Sequence, residues 1–189
     1  MSGSIEAAPG RFSSSLAYAG IGSRKTPVNQ LERMTRAAIR LARIGYTLRS
    51  GGADGADTAF ERGAGSLKEI FLPWVGFNGH QIGALANPTR DAEEIASSVH
   101  PAWGRLSPAA KKLMARNTHQ ILGADCAHPC RFVLCWTPDG AESEADRGPG
   151  TGGTGQAIAL ADRRGIPVFN FARKDTGERL LRFLNDGCQ

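Results

Sequence analysis

The chain has 189 residues, enough for one globular domain with a buried core. Apolar residues make up 41% and charged residues 22%, a balance that excludes a disordered or fibrous chain. No apolar run approaches the roughly 20 residues that span a bilayer, so a membrane protein is not expected. The formal net charge of +5 favours negatively charged partners such as nucleotides or nucleic acid.

Residues 1–15 are rich in Ser, Ala and Gly and have no basic stretch followed by an apolar one. We therefore predict a flexible leader instead of a signal peptide, and a cytoplasmic location in which cysteines are thiols. The stretch from Cys126 to Cys130 includes His128, but no second Cys or His pair completes a tetrahedral metal site. This pattern favours a plain loop before a strand, with neither metal nor cofactor.

Short β-rich runs, Gly-rich turns and amphipathic helices alternate along the rest of the chain. Thr89 and the pair Ser107-Pro108 are typical helix starts. A long acidic, Gly-rich loop over residues 137–153 indicates a functional or mobile segment. The pattern predicts strands over residues 16–21, 46–48, 68–74, 131–136 and 166–171, and helices over about 28–42, 57–62, 92–99, 108–121, 155–164 and 176–184.

This alternation predicts an α/β fold: a single Rossmann-like domain over residues 16–189, with a mostly parallel sheet covered by helices on both faces. Ligands of such sheets bind beyond the carboxyl ends of the strands, where the strand order reverses. Three Gly-rich turns follow predicted strands or open predicted helices, so we expect them to meet in one crevice.

The first turn, residues 20–25, contains Gly22, Ser23 and Arg24. Glycine lets the backbone approach a phosphate, and the helix that follows offers unpaired N–H groups and the positive end of its dipole. The side chains of Ser23 and Arg24 add donors. An ordinary tight turn is the alternative for this short motif.

The second turn, residues 50–57, contains Ser50, Gly51, Gly52, Asp54 and Asp57. The glycine pair is predicted to present N–H groups to an anion. A carboxylate such as that of Asp54 is predicted to accept ribose hydroxyls or to act as a base. The alternative is that Asp54 or Asp57 caps the helix that follows.

The third turn, residues 150–156, contains Gly152, Gly153, Thr154, Gly155 and Gln156 at the start of a predicted helix. A phosphate cradle at a helix N-terminus explains this run better than a linker does. No Lys-Ser or Lys-Thr pair follows, so the turn is not the P-loop of an ATPase.

Positive charge is concentrated between residues 22 and 49, where seven cations face one acid, Glu32. Such a stripe attracts phosphates of free nucleotides or of nucleic acid. A solvated helix face is the favoured alternative for Arg33, Arg36, Arg40 and Arg43. Arg24 and Lys25 precede that helix, so these two are expected to reach the crevice.

Four segments follow one another in a characteristic order: residues 17–23, Ser50-Gly51-Gly52-Ala53, Ala115-Arg116-Asn117, and residues 152–161 followed by Gly165-Ile166-Pro167-Val168. In this order they resemble the Rossmann-like core of DNA-processing protein A (DprA/Smf) and the grouping it shares with the lonely-guy (LOG) phosphoribohydrolases. The resemblance covers about residues 16–172. It implies single-stranded DNA binding and recombinase loading for DprA-like chains, N-glycosidic cleavage of nucleoside monophosphates for lonely-guy-like chains, and sensing of nucleotide-derived signals for others.

The lonely-guy pattern also places a catalytic Glu on the helix opened by the last Gly-rich motif, with an Arg upstream. Arg116 matches that Arg, and with Asn117 it is expected to clamp a phosphate or a base edge. The helix itself reads Gln156-Ala157-Ile158-Ala159, with no Glu. Hydrolysis would then need another carboxylate, from Asp54, Glu142 or Glu144.

We therefore expect the chain to bind a nucleotide or nucleotide-derived small molecule, with single-stranded DNA binding and N-glycosidic hydrolysis as alternatives. Asp54 and Arg116 are the predicted catalytic residues of an enzyme. Trp136 is the best candidate to stack on a base, and a homo-oligomer is expected. The predicted ligand-binding residues are Gly22, Ser23, Arg24, Ser50, Gly51, Gly52, Asp54, Asp57, Arg116, Asn117, Gly152, Gly153, Thr154, Gly155 and Gln156.

Overall fold

The computed structural model describes residues 16–80 and 85–186. The predicted leader and the last three residues, with Cys188 among them, lie outside these ranges. The described strands are β1 (Ala17–Gly20), β2 (Thr47–Ser50), β3 (Lys68–Leu72), β4 (Leu85–Ala86), β5 (Val133–Cys135) and β6 (Val168–Asn170). The helices are α1 (Val28–Arg43), α2 (Ala56–Ala64), α3 (Arg90–Val99), α4 (Pro108–Leu122), α5 (Thr154–Arg163) and α6 (Thr176–Asp186).

The strands form one sheet in the order β4-β3-β2-β1-β5-β6, and every described pair is parallel. The chain moves outward from β1 to β4, then crosses back to place β5 on the other side of β1. The strand order therefore reverses between β1 and β5, where an open parallel sheet leaves a crevice at its carboxyl edge. The predicted α/β, Rossmann-like class is confirmed.

Two apolar layers cover the sheet, because alternate strand residues point to opposite faces. Tyr18 and Leu134 belong to the layer with α1, α2 and α6, whereas Ala19, Val133 and Cys135 belong to the layer with α3, α4 and α5. These strand residues are fully buried. The two layers hold the carboxyl ends of β1 and β5 in a fixed position below the crevice.

Helix starts follow the predicted local chemistry. The Thr89 hydroxyl accepts a hydrogen bond from the backbone N–H of Ala92 at 3.3 Å, and the Ser107 hydroxyl accepts one from Ala110 at 3.2 Å. Pro108 occupies the first turn of α4, where its missing N–H costs nothing. Such caps satisfy N–H groups that have no carbonyl one turn earlier.

Two features differ from the sequence-based expectation. The two-residue strand β4 was not predicted, since two residues are too few to show a period. The other strands are mostly shorter than predicted. An apolar run shows which residues are buried, and buried residues continue beyond the point where hydrogen bonds between neighbouring strands end. Trp74 and Trp136, for instance, pack against core clusters after β3 and β5 have ended.

Cys126, Cys130 and Cys135 are free thiols. Burial raises the pKa of Cys130 to about 12 and raises that of Cys135 as well, so both stay protonated at neutral pH. Among the described residues no three His, Cys, Asp or Glu side chains are grouped as metal ligands would be. In the same part of the chain, no helix has the length and apolar character needed to cross a membrane.

Candidate functional site

A crevice of about 350 Å³ lies at the carboxyl edge of the sheet, at the reversal point between β1 and β5. This volume is within the usual range for small-molecule sites. The first Gly-rich turn, α4 and the third Gly-rich turn form most of its walls. The lining residues are Ile21, Gly22, Ser23, Arg24, Lys25, Ala53, Asp57, Leu113, Met114, Arg116, Asn117, Gln120, Gly150, Thr151, Gly152, Gly153, Thr154 and Ala157.

A buried ion pair joins the second Gly-rich turn to α4. Arg116 Nη1 donates to Asp57 Oδ2 at 3.2 Å, and the two side chains are only 8% and 4% exposed. The backbone N–H of Ala53 donates to the same carboxylate oxygen at 3.4 Å. Asp57 therefore holds Arg116 in the wall of the crevice and closes its own turn, which is a different role from helix capping.

The charges of this pair are held in a nearly dry environment. Burial raises the pKa of Asp57, against the opposing effect of the Arg116 charge. Burial lowers the pKa of Arg116, and the positive charge of Arg24 acts in the same direction. Since Arg24 and Arg116 repel each other across the crevice, an anion between them would relieve that repulsion.

Gly51 is required by the position of Arg116. A Cβ atom on Gly51 would lie 1.1 Å from Arg116 Nη1, so the guanidinium occupies the space that any other side chain would need. Gly55 has a φ of +82°, and its Cβ would lie 2.7 Å from the carbonyl oxygen of Ser23. These two glycines bring the first turn, the second turn and α4 into close contact.

The N-terminus of α5 forms the opposite wall. Gly153 is the residue before its first turn, and Asn117 Nδ2 donates to the carbonyl oxygen of Gly153 at 3.2 Å. The Thr151 hydroxyl donates to Asp139 and accepts from the N–H of Gly148, which fixes the preceding loop. The first N–H groups of a helix lack an intrahelical acceptor and carry partial positive charge, so this end of α5 is suited to a phosphate.

Six of the predicted ligand-binding residues do not line the crevice. Ser50 donates to the carbonyl oxygen of Gly20, while Gly51 and Gly52 lie behind the wall. Asp54 is exposed and accepts a hydrogen bond from Asn78 Nδ2 at 3.1 Å. Gly155 and Gln156 line a neighbouring cavity on the other side of the α5 N-terminus.

Other predicted contacts also lie elsewhere. Arg33 donates to the carbonyl oxygen of Phe171 at 3.2 Å, and Arg36 is exposed and faces Glu32 at 3.9 Å. Trp136 packs against the core cluster and contacts the first turn through its backbone, accepting from the N–H of Ser23 at 3.2 Å. The stacking role predicted for Trp136 therefore has no support in this arrangement.

Acidic side chains of the 137–153 loop are held in ion pairs. Glu142 bonds both terminal nitrogens of Arg179, at 2.9 and 2.6 Å, and also accepts from the backbone N–H of Asn170. Glu144 pairs with Arg163 and Arg147. Neither carboxylate lines the crevice. Both anchor the loop of residues 137–153 to neighbouring elements.

The surface of α4 that faces the crevice was not predicted from the sequence. Leu113, Met114 and Gln120 line the crevice beside Arg116 and Asn117. Four of these five residues follow the spacing i, i+3, i+4 and i+7 of one helix face, which is the signal that could have identified Gln120. Gln120 is 1% exposed, and neither of its side-chain polar atoms has a hydrogen-bond partner among the described residues.

No family model and no curated protein matches the chain significantly. A solved structure of DNA processing protein A from Helicobacter pylori, reported for its single-stranded DNA binding mode, has a TM-score of 0.56 to this chain. The match covers 88% of this chain and 71% of that chain at 17% sequence identity. This chain has a DprA-like fold. An identity of 17% supports no more than a shared fold.

Proposed function

We propose that the chain binds single-stranded DNA, with one nucleotide phosphate at the N-terminus of α5. The observation that carries the proposal is the convergence of that helix end with Arg24, Lys25 and Arg116 on one crevice. Three cations and a helix N-terminus form a strong anion site. The fold neighbour from Helicobacter pylori is described for its single-stranded DNA binding mode, which favours the same class of ligand here.

The surface charges support entry of a strand from the mouth of the crevice. Arg24 and Lys25 are exposed at its rim, where they can attract a phosphate chain, while Arg116 is buried in its wall. The apolar side chains of Ile21, Leu113 and Met114 offer contact area to a base or a sugar. Contacts of these kinds, cationic to phosphate and apolar to base, are typical of single-strand binding sites.

A free nucleotide is the second candidate. The exposed arginines of α1 do not line the crevice, and Arg33 is engaged with Phe171, so the cationic surface at the site is short. A short cationic surface suits a ligand with one or two phosphates. Hydrolysis has less support. Among the described residues that line the crevice, Asp57 is the one with a carboxylate, and it is buried and paired with Arg116, so it is poorly placed to act as a general acid or base.

The test compares two double variants with the same loss of charge. Binding of a fluorescent oligonucleotide of about 12 nucleotides is measured for Arg24→Ala with Lys25→Ala, and for the control Arg40→Ala with Arg43→Ala on α1. We expect about tenfold weaker binding for the first pair and little change for the control. Equal losses in both variants, or no binding by the unmodified protein, would contradict the proposal.

Competition separates the two candidates. A nucleoside monophosphate that occupies the crevice should displace the oligonucleotide, since both would use the α5 N-terminus. Tight mononucleotide binding without any oligonucleotide binding would transfer the assignment to the free nucleotide.

A further inference from the structure

Gln120 is the most unusual polar side chain in the crevice. It lines the cavity, it is 1% exposed, and both Nε2 and Oε1 are without a partner among the described residues. The other lining amide, Asn117, donates to Gly153. Gln156, on the neighbouring helix, has Nε2 at 3.5 Å from the Thr118 hydroxyl.

A buried amide with neither atom paired is costly, because water has been removed and no hydrogen bond replaces it. Native proteins leave few such groups, and those that remain need a partner from outside the chain, such as a bound water, an ion or a ligand. Leucine would fill a similar volume without this cost. The amide at position 120 is therefore suited to a partner that enters the crevice and offers both a donor and an acceptor.

The surroundings of Gln120 define what that partner can be. Gln120 lies one helical turn beyond Arg116 on α4, and α4 runs from the carboxyl edge of the sheet back toward the start of β5. The amide is therefore deeper in the crevice than the cations of the rim. Ile21, Ala53 and Ala157 add apolar surface to the same cavity. A polar pair within apolar walls suits a nucleobase, which has an apolar face and a polar edge.

Resting on the proposed function, we infer that Gln120 recognises the edge of one nucleobase inserted into the crevice, while its phosphate stays at the α5 N-terminus. The Watson–Crick edge of every common base places a donor beside an acceptor, which is the complement of a carboxamide. Gln120 would therefore bind the edge of any common base, without preference among the four. It is a recognition residue for the base, as Arg24 and Lys25 are for the phosphate.

The first test removes the amide and the bases separately. Oligonucleotides of about 12 nucleotides, one with bases and one fully abasic, are compared on the unmodified protein and on Gln120→Leu. The variant should bind the base-containing strand about tenfold more weakly and the abasic strand as before. Thr118→Val is the matched control, a buried polar-to-apolar change on the same helix outside the crevice, and should leave both affinities unchanged.

A second variant reverses the hydrogen-bonding pattern. Gln120→Glu replaces the donor–acceptor pair by two acceptors, which match the adjacent N1–H and N2–H donors of guanine. An alternating guanine–thymine strand should then bind more tightly than an alternating cytosine–thymine strand, a preference absent from the unmodified protein. No change in preference, in a folded variant that still binds, would contradict the inference.

Thermal unfolding shows whether Gln120 is only structural. Gln120→Leu removes an unpaired amide from the interior, so its melting temperature should equal or exceed that of the unmodified protein. A marked fall in melting temperature together with equal loss of base-containing and abasic strands would assign Gln120 a structural role. If binding depends on Arg24 and Lys25 but not on Gln120, the inference fails while the proposed function stands.

Discussion

Gly51 leaves the space that the Arg116 guanidinium fills, and Asp57 fixes the guanidinium there from the start of α2. Residues 51, 57 and 116 thus depend on one another although 59 positions separate the two members of the ion pair. All three were predicted from the sequence as site residues. It could not reveal that Gly51 acts through its missing side chain, because only the folded chain places Arg116 beside it.

Gly51→Ala tests this dependence. Its Cβ would collide with Arg116 Nη1, so the guanidinium must leave Asp57 and a buried charge pair is broken. We expect a loss of about 1–3 kcal/mol in the free energy of unfolding, together with weaker oligonucleotide binding. Urea denaturation measures the first and fluorescence polarisation the second.

Gly104→Ala is the control for that change, since a Cβ at residue 104 meets nothing within 4 Å. Unaltered stability of Gly51→Ala would show that Arg116 has another position available at little cost.

His119 illustrates a polar residue whose role is structural. Its ring lies on α4, with Nε2 accepting from the N–H of Thr89 at 3.1 Å and Nδ1 at 2.9 Å from the carbonyl oxygen of Gly123. These contacts fit a neutral ring with the proton on Nδ1. Burial lowers the pKa of His119 below its ordinary value, against the opposing effect of the Gly123 carbonyl.

This shift predicts a loss of stability in mild acid. A histidine with a depressed folded-state pKa contributes its full stability above the unfolded pKa of about 6.5, and that stability declines as the pH falls below this value. His119→Gln should flatten the decline in melting temperature between about pH 7 and pH 5. His100, whose pKa is also lowered, should account for part of what remains.

His128→Gln provides the comparison, because that ring is exposed and faces Asp125 at 2.8 Å. An identical pH profile for His119→Gln and the unmodified protein would contradict the assignment.

At the scale of elements, the site depends on the N-terminus of α5. Gly153 precedes the first turn of α5 and has helical dihedral angles, with φ of −64° and ψ of −21°. Any residue can adopt this backbone conformation, so the backbone itself does not require glycine here. A Cβ there would lie 3.3 Å from Met114 Cε, across the mouth of the crevice. The glycine keeps the approach to the helix end open.

Gly153→Val should therefore reduce oligonucleotide affinity strongly with little change in melting temperature, because the branched side chain fills the phosphate position while the core stays intact. The affinity is measured by fluorescence polarisation and the stability by thermal unfolding. Gly104→Val, outside the crevice, controls for the added side chain. Unchanged affinity in the folded Gly153→Val protein would remove the α5 N-terminus from the site.

Elements were more predictable than their contacts. The positions of α3 and α4 followed from Thr89 and Ser107, whose caps are local chemistry. The anchoring of the 137–153 loop was not predictable, because Arg163 and Arg179 lie on helices that come later in the chain. The position of Asp54 was not predictable either. The sequence made Asp54 a candidate base, whereas the fold places it outside the crevice.

At the scale of the whole molecule, the strand order decides where the ligand binds. The alternation of strands and helices predicted a parallel sheet, and the reversal between β1 and β5 brings the first and third Gly-rich turns together. The predicted homo-oligomer and the predicted span of the domain remain predictions. The predicted basic stripe divides in two: Arg24 and Lys25 line the crevice, whereas the arginines of α1 do not.

The salt dependence of oligonucleotide binding tests the central claim most directly. Binding through Arg24 and Lys25 would neutralise about two phosphates, because Asp57 already balances the charge of Arg116. Log affinity should therefore fall with log salt at a slope of about −1.4, taking about −0.7 per contact. The slope should become shallower in the variant that lacks Arg24 and Lys25. A slope near −3.5, corresponding to about five contacts and lost when Arg36, Arg40 and Arg43 are changed to Ala, would place the strand on α1 and contradict binding in the crevice.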